Sequence, residues 1–341
     1  MKQLSDRIQK VSTSRTVHLS SVIDSLRRQG HPIINLGIGE PDEAPFSDIL
    51  AKTTDALIRG ESRYGPVSGI PELREAIAGR FNGYTNENII VTNGSKQALY
   101  MAIQVLCNPG DEVIIPLPCW VSFCEQIKLA GAIPVMVDTK AHQLDCEAIE
   151  KAINAHTKMI IINSPNNPTG AVYPEDALGK IADLAIAHDL YLISDEAYEA
   201  FIYDGWTHHS LFDFPHVRDR LLVAGSFSKT YCMTGFRIGY AAAPENIISA
   251  MARLQSHLTG NVCTFAQHGA LAATKLNPSN FDPWRNKLQK KRDITLEILK
   301  DFPCHTPRGA FYVFPDITRF LKNGESTETL ATEVLQRVNV A

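Results

Sequence analysis

The sequence has no apolar stretch approaching the roughly 20 residues that a membrane-spanning helix needs. Its first fourteen residues mix charged side chains with isolated apolar ones and contain no apolar core of the kind found in a signal peptide. Charges of the two signs nearly balance, giving a net charge of -4. We therefore expect a cytoplasmic protein whose main partner is neither a membrane nor a nucleic acid.

Patterns that bind metals or pair as disulfides are also missing. The seven cysteines form no C-x-x-C pair, and neither they nor the adjacent His208 and His209 show the spacing of zinc ligands. We expect reduced thiols, mostly buried, and no bound metal. A chain of 341 residues, 44% of them hydrophobic, is long enough for one large domain and a smaller companion.

Apolar strands alternate with helical segments along most of the chain, which predicts a mainly parallel sheet with helices on both faces. Strands are predicted at residues 33–36, 88–92, 112–115, 133–137, 158–163, 191–194, 221–224, 238–243 and 307–314. One helix is predicted at residues 3–30, another begins at Pro71, and a third follows the 93–97 turn and ends at Cys107. Further helices are predicted at 120–130, 146–155, 174–188, 246–258, 265–274, 283–302 and 328–338.

Polar residues follow several of these strands, where ligands of a parallel sheet gather. They are Asn93, Gly94, Ser95, Asn167, Asp195, Tyr198 and the segment 226–229. A glycine turn that leads into a helix N-terminus makes an anion site, because free N–H groups and the positive end of the helix dipole face the ligand. Lys96, in that first turn, is either an exposed lysine or one that meets an acidic ligand.

Lys229 lies between two hydroxyl residues, Ser228 and Thr230, on a loop where a strand ends. Partial burial would lower the pKa of its amine and make it a nucleophile or the partner of a carbonyl in a Schiff base. Arg237, eight residues on, offers a fork of donors suited to a phosphate or a carboxylate. Either residue alone would also fit an ordinary surface position.

The combined set matches what pyridoxal 5'-phosphate requires. The cofactor needs an amine to form its Schiff base, a carboxylate to keep the pyridine nitrogen protonated and donors for the ring oxygen. It also needs an aromatic face and a phosphate site. Lysine, arginine, aspartate, tyrosine, asparagine, tryptophan and a helix-start anion site are all present near the predicted strand ends.

Four motifs, in the right order, carry a resemblance to a known family. They are Tyr64-Gly-Pro-Val-Ser-Gly69, Ser164-Pro-Asn-Asn-Pro-Thr-Gly170, Ser194-Asp-Glu-Ala-Tyr198 and Ser226-Phe-Ser-Lys229 with Gly235-Phe-Arg-Ile-Gly-Tyr240. The sequence resembles the class I aminotransferases of pyridoxal-phosphate fold type I, in their bacterial aspartate-aminotransferase-like branch. The resemblance implies an α/β fold with a large domain, whose mainly parallel sheet is flanked by helices, and a small discontinuous α+β domain.

The resemblance also implies roles for individual residues. Lys229 would carry the cofactor and move the proton, with Asp195 at the pyridine nitrogen and with Tyr198 and Asn167 at the ring oxygen. Ser226, Arg237 and the backbone of Gly94, Ser95 and Lys96 would hold the phosphate, and Trp120 would stack on the ring. Tyr64 would reach the phosphate of a neighbouring subunit, which implies a homodimer. Substrate would meet Gly39, Trp120, Asn167 and Lys96, and Lys96 favours aspartate or glutamate with a 2-oxo acid.

We expect an N-terminal arm and part of the small domain at residues 1–41, the large domain at 42–278 and the rest of the small domain at 279–341. Class I relatives continue for several dozen residues past the position of Ala341, and that part carries an arginine that grips the substrate α-carboxylate. We therefore expect a small domain incomplete at its C-terminus, and a chain that binds pyridoxal phosphate but transaminates poorly.

Other functions remain as alternatives. A lyase of the same fold, or a non-catalytic protein that binds pyridoxal phosphate, would use the same cofactor residues. Residues 226–229 also fit the Ser-x-x-Lys motif of penicillin-binding enzymes, but the later motifs of those enzymes are missing. The sensor domain of some transcription regulators resembles this fold, yet those proteins carry a DNA-binding module for which there is no room before Ile33.

Overall fold

The computed structural model describes residues 3–12, 15–322 and 324–341. A seven-stranded sheet forms its centre, in the order β1-β7-β6-β5-β4-β2-β3. The strands are β1 (Ile89–Thr92), β2 (Glu112–Leu117), β3 (Ile133–Asp138), β4 (Thr157–Asn163), β5 (Tyr191–Asp195), β6 (Leu221–Ser226) and β7 (Gly239–Ala242). Every neighbouring pair is parallel except the two that β7 makes with β1 and β6, so the prediction of a mainly parallel sheet is confirmed.

Helices cover both faces of this sheet and extend to the two ends of the chain. Those within the described residues are α1 (Asp6–Gln9), α2 (Arg15–Arg28), α3 (Ser47–Ile58), α4 (Pro71–Ala78), α5 (Ser95–Leu106), α6 (Ser122–Leu129), α7 (Cys146–Ala152), α8 (Glu175–Ala187), α9 (Glu245–Leu258), α10 (Thr264–Ala273), α11 (Asp282–Ile298) and α12 (Thr327–Val338). Helix α4 begins at Pro71 as predicted, because proline lacks only an N–H that the first turn leaves unbonded.

The core lies in two layers, one on each face of the sheet. Along β4, Ile160 and Ile162 pack into one layer, whereas Met159 and Ile161 pack into the other. This alternation follows from the pleat of the strand, in which successive side chains point to opposite faces. Because both faces are covered, the middle of the strand, Met159 to Ile162, is a continuous apolar run, as expected for a parallel sheet between helices. None of the described helices is both long and apolar enough to span a bilayer.

Some predicted elements differ in the structure. Helix α3 was missed, α6 begins two residues later than expected, and both α7 and α11 end early. The strand expected at 33–36 is reduced to a single bridge between Ile34 and Val340. No strand forms at 307–314 either: Gly309 bridges Ile202, and the backbone bends at Ala310 with φ of 55°.

The reason lies in where the backbone hydrogen bonds of this last segment go. The N–H groups of Arg308 and Gly309 both donate to the carbonyl of Gly170, each at 2.9 Å. A loop contact therefore takes the donors that a strand ladder would need. The apolar Ala310, Phe311 and Tyr312 instead pack against a cluster that includes Tyr198 and Phe201, without pairing within a sheet.

Candidate active site

A cavity of about 570 Å³ opens where β4, β5 and β6 end. Of the residues predicted from sequence, those that line it are Gly39, Gly94, Ser95, Lys96, Trp120, Asn167, Asp195, Tyr198, Ser226, Lys229 and Arg237. Tyr64 does not line this cavity, and its side chain is 100% exposed. The convergence predicted for the residues that follow the strands is therefore observed, except that Asn93 does not line the cavity. Tyr64 was not expected in the cavity of its own chain.

Lys229 enters the cavity from the loop that follows β6. Its Nζ donates to the carbonyl oxygen of Gly39 at 2.6 Å. The pKa of this amine is lowered to about 8, mainly by burial; Glu40 opposes the shift, and the nearby cations Arg237 and Lys96 add to it. A substantial fraction of the amine is therefore neutral near pH 8, and a neutral amine is a nucleophile and a base.

Asp195 ends β5 and is buried. Its Oδ1 accepts a hydrogen bond from the N–H of Ala197 at 3.2 Å. Burial raises the pKa of this carboxyl to about 7, and the neighbouring charge of Glu196 raises it further. A carboxylate paired with a pyridinium, the role that the resemblance implies for Asp195, would have a lowered pKa. In the chain by itself burial dominates the pKa of Asp195, because none of the residues that the structure describes contributes an opposite charge to the shift.

The loop from Asp195 to Tyr198 is held in place by the buried carboxylate of its own residue Glu196. Its Oε1 accepts hydrogen bonds from the hydroxyls of Ser194 at 2.7 Å and Ser210 at 2.6 Å. Its Oε2 lies 3.2 Å from Nε2 of His208, and this contact helps to raise the pKa of that histidine against the effect of burial. These bonds pin the turn that aims Asp195 and Tyr198 into the cavity.

The hydroxyl of Tyr198 lies 2.6 Å from that of Tyr312 and also accepts the side chain of Asn167. Burial raises the pKa of both phenols, so both stay protonated and can donate at neutral pH. Tyr312 lines the cavity and was missed by the sequence reasoning. A Cβ added at Gly39 would collide with the Tyr312 ring, so glycine allows the two segments to approach.

The phosphate-sized end of the cavity is built from backbone N–H groups and one guanidinium. Gly94 precedes α5 with φ of 74°, and a Cβ there would lie 2.6 Å from Nη2 of Arg237. A Cβ at Gly239 would collide with the N–H of Ser95. Two glycines thus bring Arg237 against a helix N-terminus whose first N–H groups have no intrahelical acceptor.

Arg237 is held in place by its own backbone and by a neighbouring carbonyl. Its backbone is left-handed with φ of 57°, and Nη1 donates to the carbonyl of Thr234 at 2.9 Å. Ser226 completes this end, and its Oγ accepts the N–H of Ser228 at 3.1 Å. The hydroxyl hydrogen of Ser226 therefore remains to donate to an anion.

Lys96 and Trp120 line another part of the cavity wall. The Nζ of Lys96 lies 5.0 Å from the centroid of the Trp120 ring, within range of a cation–π contact. Trp120 packs edge-to-face on Phe123 with centroids 5.4 Å apart. Burial lowers the pKa of Lys96, and the charge of Arg237 lowers it further. Lys96 therefore lines the cavity but is still exposed to solvent, so both expectations for this residue remain open.

Comparisons with known proteins agree with this geometry. A sequence model of the family "aminotransferase class I and II" matches residues 31–341. The chain is 38% identical to the probable aspartate/prephenate aminotransferase of Aquifex aeolicus, over the whole chain and 90% of that relative. It is 40% identical to the aspartate/prephenate aminotransferase of Cereibacter sphaeroides, over 93% of the chain and 83% of the relative. The solved structure of Thermus thermophilus aspartate aminotransferase with maleate superposes with a TM-score of 0.94 at 38% identity, covering all of this chain and 91% of that one.

Proposed function

Because the chain belongs to the class I and II aminotransferases, pyridoxal-phosphate enzymes of fold type I, we propose that it transfers the amino group of aspartate or glutamate to a 2-oxo acid. Lys229 is the residue to which we assign cofactor attachment and proton movement. The observation that carries the assignment is its amine, half-neutral near pH 8, in one cavity with Asp195 and Arg237.

The donor set fits pyridoxal phosphate. Gly94 and Gly239 allow Arg237 and the N-terminus of α5 to approach each other closely, and a side chain at either glycine would disturb this anion site. Asp195 is buried without a positive partner, so a protonated ring nitrogen would supply the missing charge. The phenol of Tyr198 and the amide of Asn167 would hold the ring oxygen, and Trp120 would cover one face of the ring.

When bound, pyridoxal phosphate supplies an aldehyde that condenses with amines and a ring that draws electrons from the substrate Cα. The amine of Lys229 would accept the proton of the substrate Cα and later return it. The carbonyl of Gly39, which accepts from Nζ at 2.6 Å, keeps the amine at the cavity wall between these steps. Asp195, ionised beside a positive partner, keeps the ring protonated.

The preference for a dicarboxylic substrate rests on Lys96. Lys96 lines the cavity and its ammonium lies beside Trp120, where a distal carboxylate would meet it. Several relatives carry names that specify aspartate as a substrate. Those relatives are named aminotransferases, which argues against a lyase of the same fold.

We assign Tyr64 to a second active site in a homodimer. Its side chain is 100% exposed and lies outside the cavity of its own chain. The backbone beside it is fixed, because the carbonyl of Arg63 accepts the hydroxyl of Thr264 at 3.1 Å. A fixed, exposed tyrosine suits a contact with a neighbouring subunit.

We retain the division into 1–41, 42–278 and 279–341, and a cytoplasmic location, as parts of this proposal.

Incubation with aspartate and 2-oxoglutarate tests the reaction. The expected products are oxaloacetate and glutamate in equal amounts, and chromatography measures both. Release of ammonia in place of glutamate would identify a lyase or a deaminating enzyme and contradict the proposal. Loss of the activity in Lys229→Ala, with the fold unchanged by circular dichroism, is the control that ties the products to this cavity.

A further inference from the structure

Two thiols meet at the wall between the catalytic cavity and a second, larger cavity. Cys119 precedes the loop that carries Trp120, and Cys124 is the third residue of α6. The backbone between them turns tightly, since the N–H of Phe123 donates to the carbonyl of Trp120 at 3.1 Å. This turn brings the two thiols into hydrogen-bonding contact.

Both cysteines are open to small reagents. They line a cavity of about 1100 Å³, whose wall includes Val11 and Ser12 of the N-terminal arm as well as His142 and His305. Cys119 also lines the catalytic cavity, next to Trp120. A molecule of the size of a hydroperoxide can therefore reach the thiols without passing through the packed core, and Cys119 connects the pair directly to the active site.

Cys124 has the surroundings of a reactive thiol. The hydrogen bond from Cys119 lowers the pKa of Cys124 to about 7, and Lys128, one turn further along α6, lowers it as well. Burial and Glu125 oppose these effects. A thiolate near the N-terminus of a helix is the nucleophilic form of cysteine. The same hydrogen bond and burial raise the pKa of Cys119, which remains a thiol.

We propose that Cys119 and Cys124 form a redox-active dithiol that hydroperoxides oxidise to a disulfide, and that the bond restrains the loop bearing Trp120. The thiolate of Cys124 attacks one peroxide oxygen and breaks the O–O bond, which gives a sulfenic acid and releases hydroxide. The sulfur of Cys119 then attacks the sulfur of that sulfenic acid and displaces its hydroxyl group. The hydroxyl group combines with the thiol proton of Cys119 and leaves as water. With hydrogen peroxide as the oxidant, the released hydroxide takes up the proton that the Cys124 thiol lost on ionisation, so that two thiols lose two electrons in all and the peroxide becomes two waters.

The effect on the active site follows from the short loop that the bond would close. Residues 119 and 124 bracket Trp120, whose ring contacts both Phe123 and Lys96. A disulfide would fix the distance between the two ends of this segment and therefore the orientations open to the Trp120 ring. The disulfide does not depend on the proposed function, whereas its influence on turnover does, because it assumes that Trp120 covers the cofactor.

The test uses the cofactor-loaded protein and hydrogen peroxide. After oxidation, free thiols are blocked with iodoacetamide, and the protein is digested with chymotrypsin, which cuts after Trp120 and after Phe123. Cys119 and Cys124 then fall in separate peptides, which only a disulfide can hold together. We expect one linked pair, lighter than its two free peptides by two hydrogens and separated by dithiothreitol. Two peptides that stay unlinked, or a link to Cys107 or Cys146, would overturn the proposal.

Variants divide the structural claim from the functional one. Cys124→Ser and Cys119→Ser should each abolish the link, whereas Cys263→Ser, which removes an exposed thiol elsewhere, should leave it intact. Turnover of the Cys263→Ser enzyme should fall severalfold on oxidation and return with dithiothreitol, while turnover of Cys124→Ser should not respond. A link that forms without changing turnover or Trp120 fluorescence would refute the restraint on the loop.

Discussion

The phenol oxygens of Tyr198 and Tyr312 lie 2.6 Å apart, although 114 residues separate them in the chain. Tyr198 cannot rotate freely while this bond lasts, and it also contacts Asn167. Tyr312 thereby positions a hydroxyl that we assign to the cofactor ring. The 307–314 segment, which forms no strand, contributes to the site through this contact and through Phe311, whose ring centroid lies 5.9 Å from Nζ of Lys229.

Tyr312→Phe should weaken cofactor binding about fivefold, because a hydrogen bond of this kind contributes about 1 kcal/mol. The ring remains, so packing against Phe311 is retained. The measurement is a titration of cofactor-free protein with pyridoxal phosphate, followed by fluorescence. Tyr191→Phe is the matched control, since Tyr191 contacts Lys158 outside the cavity. Equal affinities of Tyr312→Phe and the unchanged protein would remove Tyr312 from the positioning of Tyr198.

Lys229 should capture the cofactor faster as the pH rises through about 8. Its lowered pKa means that the neutral, reactive amine accumulates from that pH instead of near the ordinary value for lysine, 10.5. Cofactor-free protein is mixed with pyridoxal phosphate at a series of pH values, quenched with borohydride and digested. Mass spectrometry should place the pyridoxyl label on Lys229.

Two variants sharpen this experiment. Glu40 raises the pKa of Lys229, so Glu40→Gln should move the midpoint of the capture rate to lower pH. Glu43→Gln is the control, because Glu43 instead pairs with Lys287. Lys229→Ala should take no label. A label on a different lysine, or a capture rate independent of pH between 7 and 9, would contradict the assignment.

Asp195 should destabilise the cofactor-free protein as the pH rises. Its folded pKa is about 7, above the ordinary 3.8, so between these values the folded state holds a proton that the unfolded state has released. The free energy of unfolding therefore falls with rising pH across this window, and the loss of stability is complete above about pH 7. Three pKa units amount to roughly 4 kcal/mol as an upper bound.

Asp195→Asn removes this charge, so the variant without cofactor should be the more stable of the two at pH 8, with the difference disappearing near pH 4. Urea unfolding at several pH values measures it. Asp55→Asn, an exposed position on α3, should show no such trend. With cofactor bound the order should reverse, because Asp195 then has a positive partner. A difference independent of pH would rule out the buried charge as its cause.

The residues that could be predicted from sequence are those whose position the topology determines. Lys229 and Asp195 follow adjacent parallel strands, so their convergence was a consequence of the alternation of strands and helices. Arg237 could be predicted as a phosphate ligand because its guanidinium offers a fork of donors suited to that group. All three lie in the cavity where the sequence placed them.

What the sequence did not reveal depends on contacts between distant segments. Tyr312 has no local signal, since its role arises from Tyr198 and from the absence of a side chain at Gly39. The Phe-Tyr-Val alternation suggested a strand, but a strand also needs a partner for its ladder, and Gly170 takes those donors. Likewise, the pKa of Asp195 depends on burial, which a sequence motif does not report.

Lys96→Ala should lower kcat/KM for aspartate by tenfold or more, since a hydrogen bond to a charged group contributes about 1.5–3 kcal/mol. For alanine, which has no distal carboxylate, the change should be small. Lys158→Ala is the matched control, because Lys158 also lies over an aromatic ring, that of Tyr191, at 5.3 Å and outside the cavity. An equal loss on both substrates would assign Lys96 to the cofactor site instead of to specificity.

Gly239→Ala should damage the phosphate end of the cavity selectively. The new methyl group would meet the N–H of Ser95 and the backbone of Gly94, so β7 or the start of α5 must move. Backbone atoms cannot rotate away as a side chain can, and the N–H groups that would receive the phosphate would turn out of position. We expect cofactor affinity to fall more than tenfold, measured by the same titration. Gly235→Ala, in the preceding loop with open space around it, should bind normally. If both variants bound pyridoxal phosphate as the unchanged protein does, the phosphate would have to lie elsewhere in the cavity.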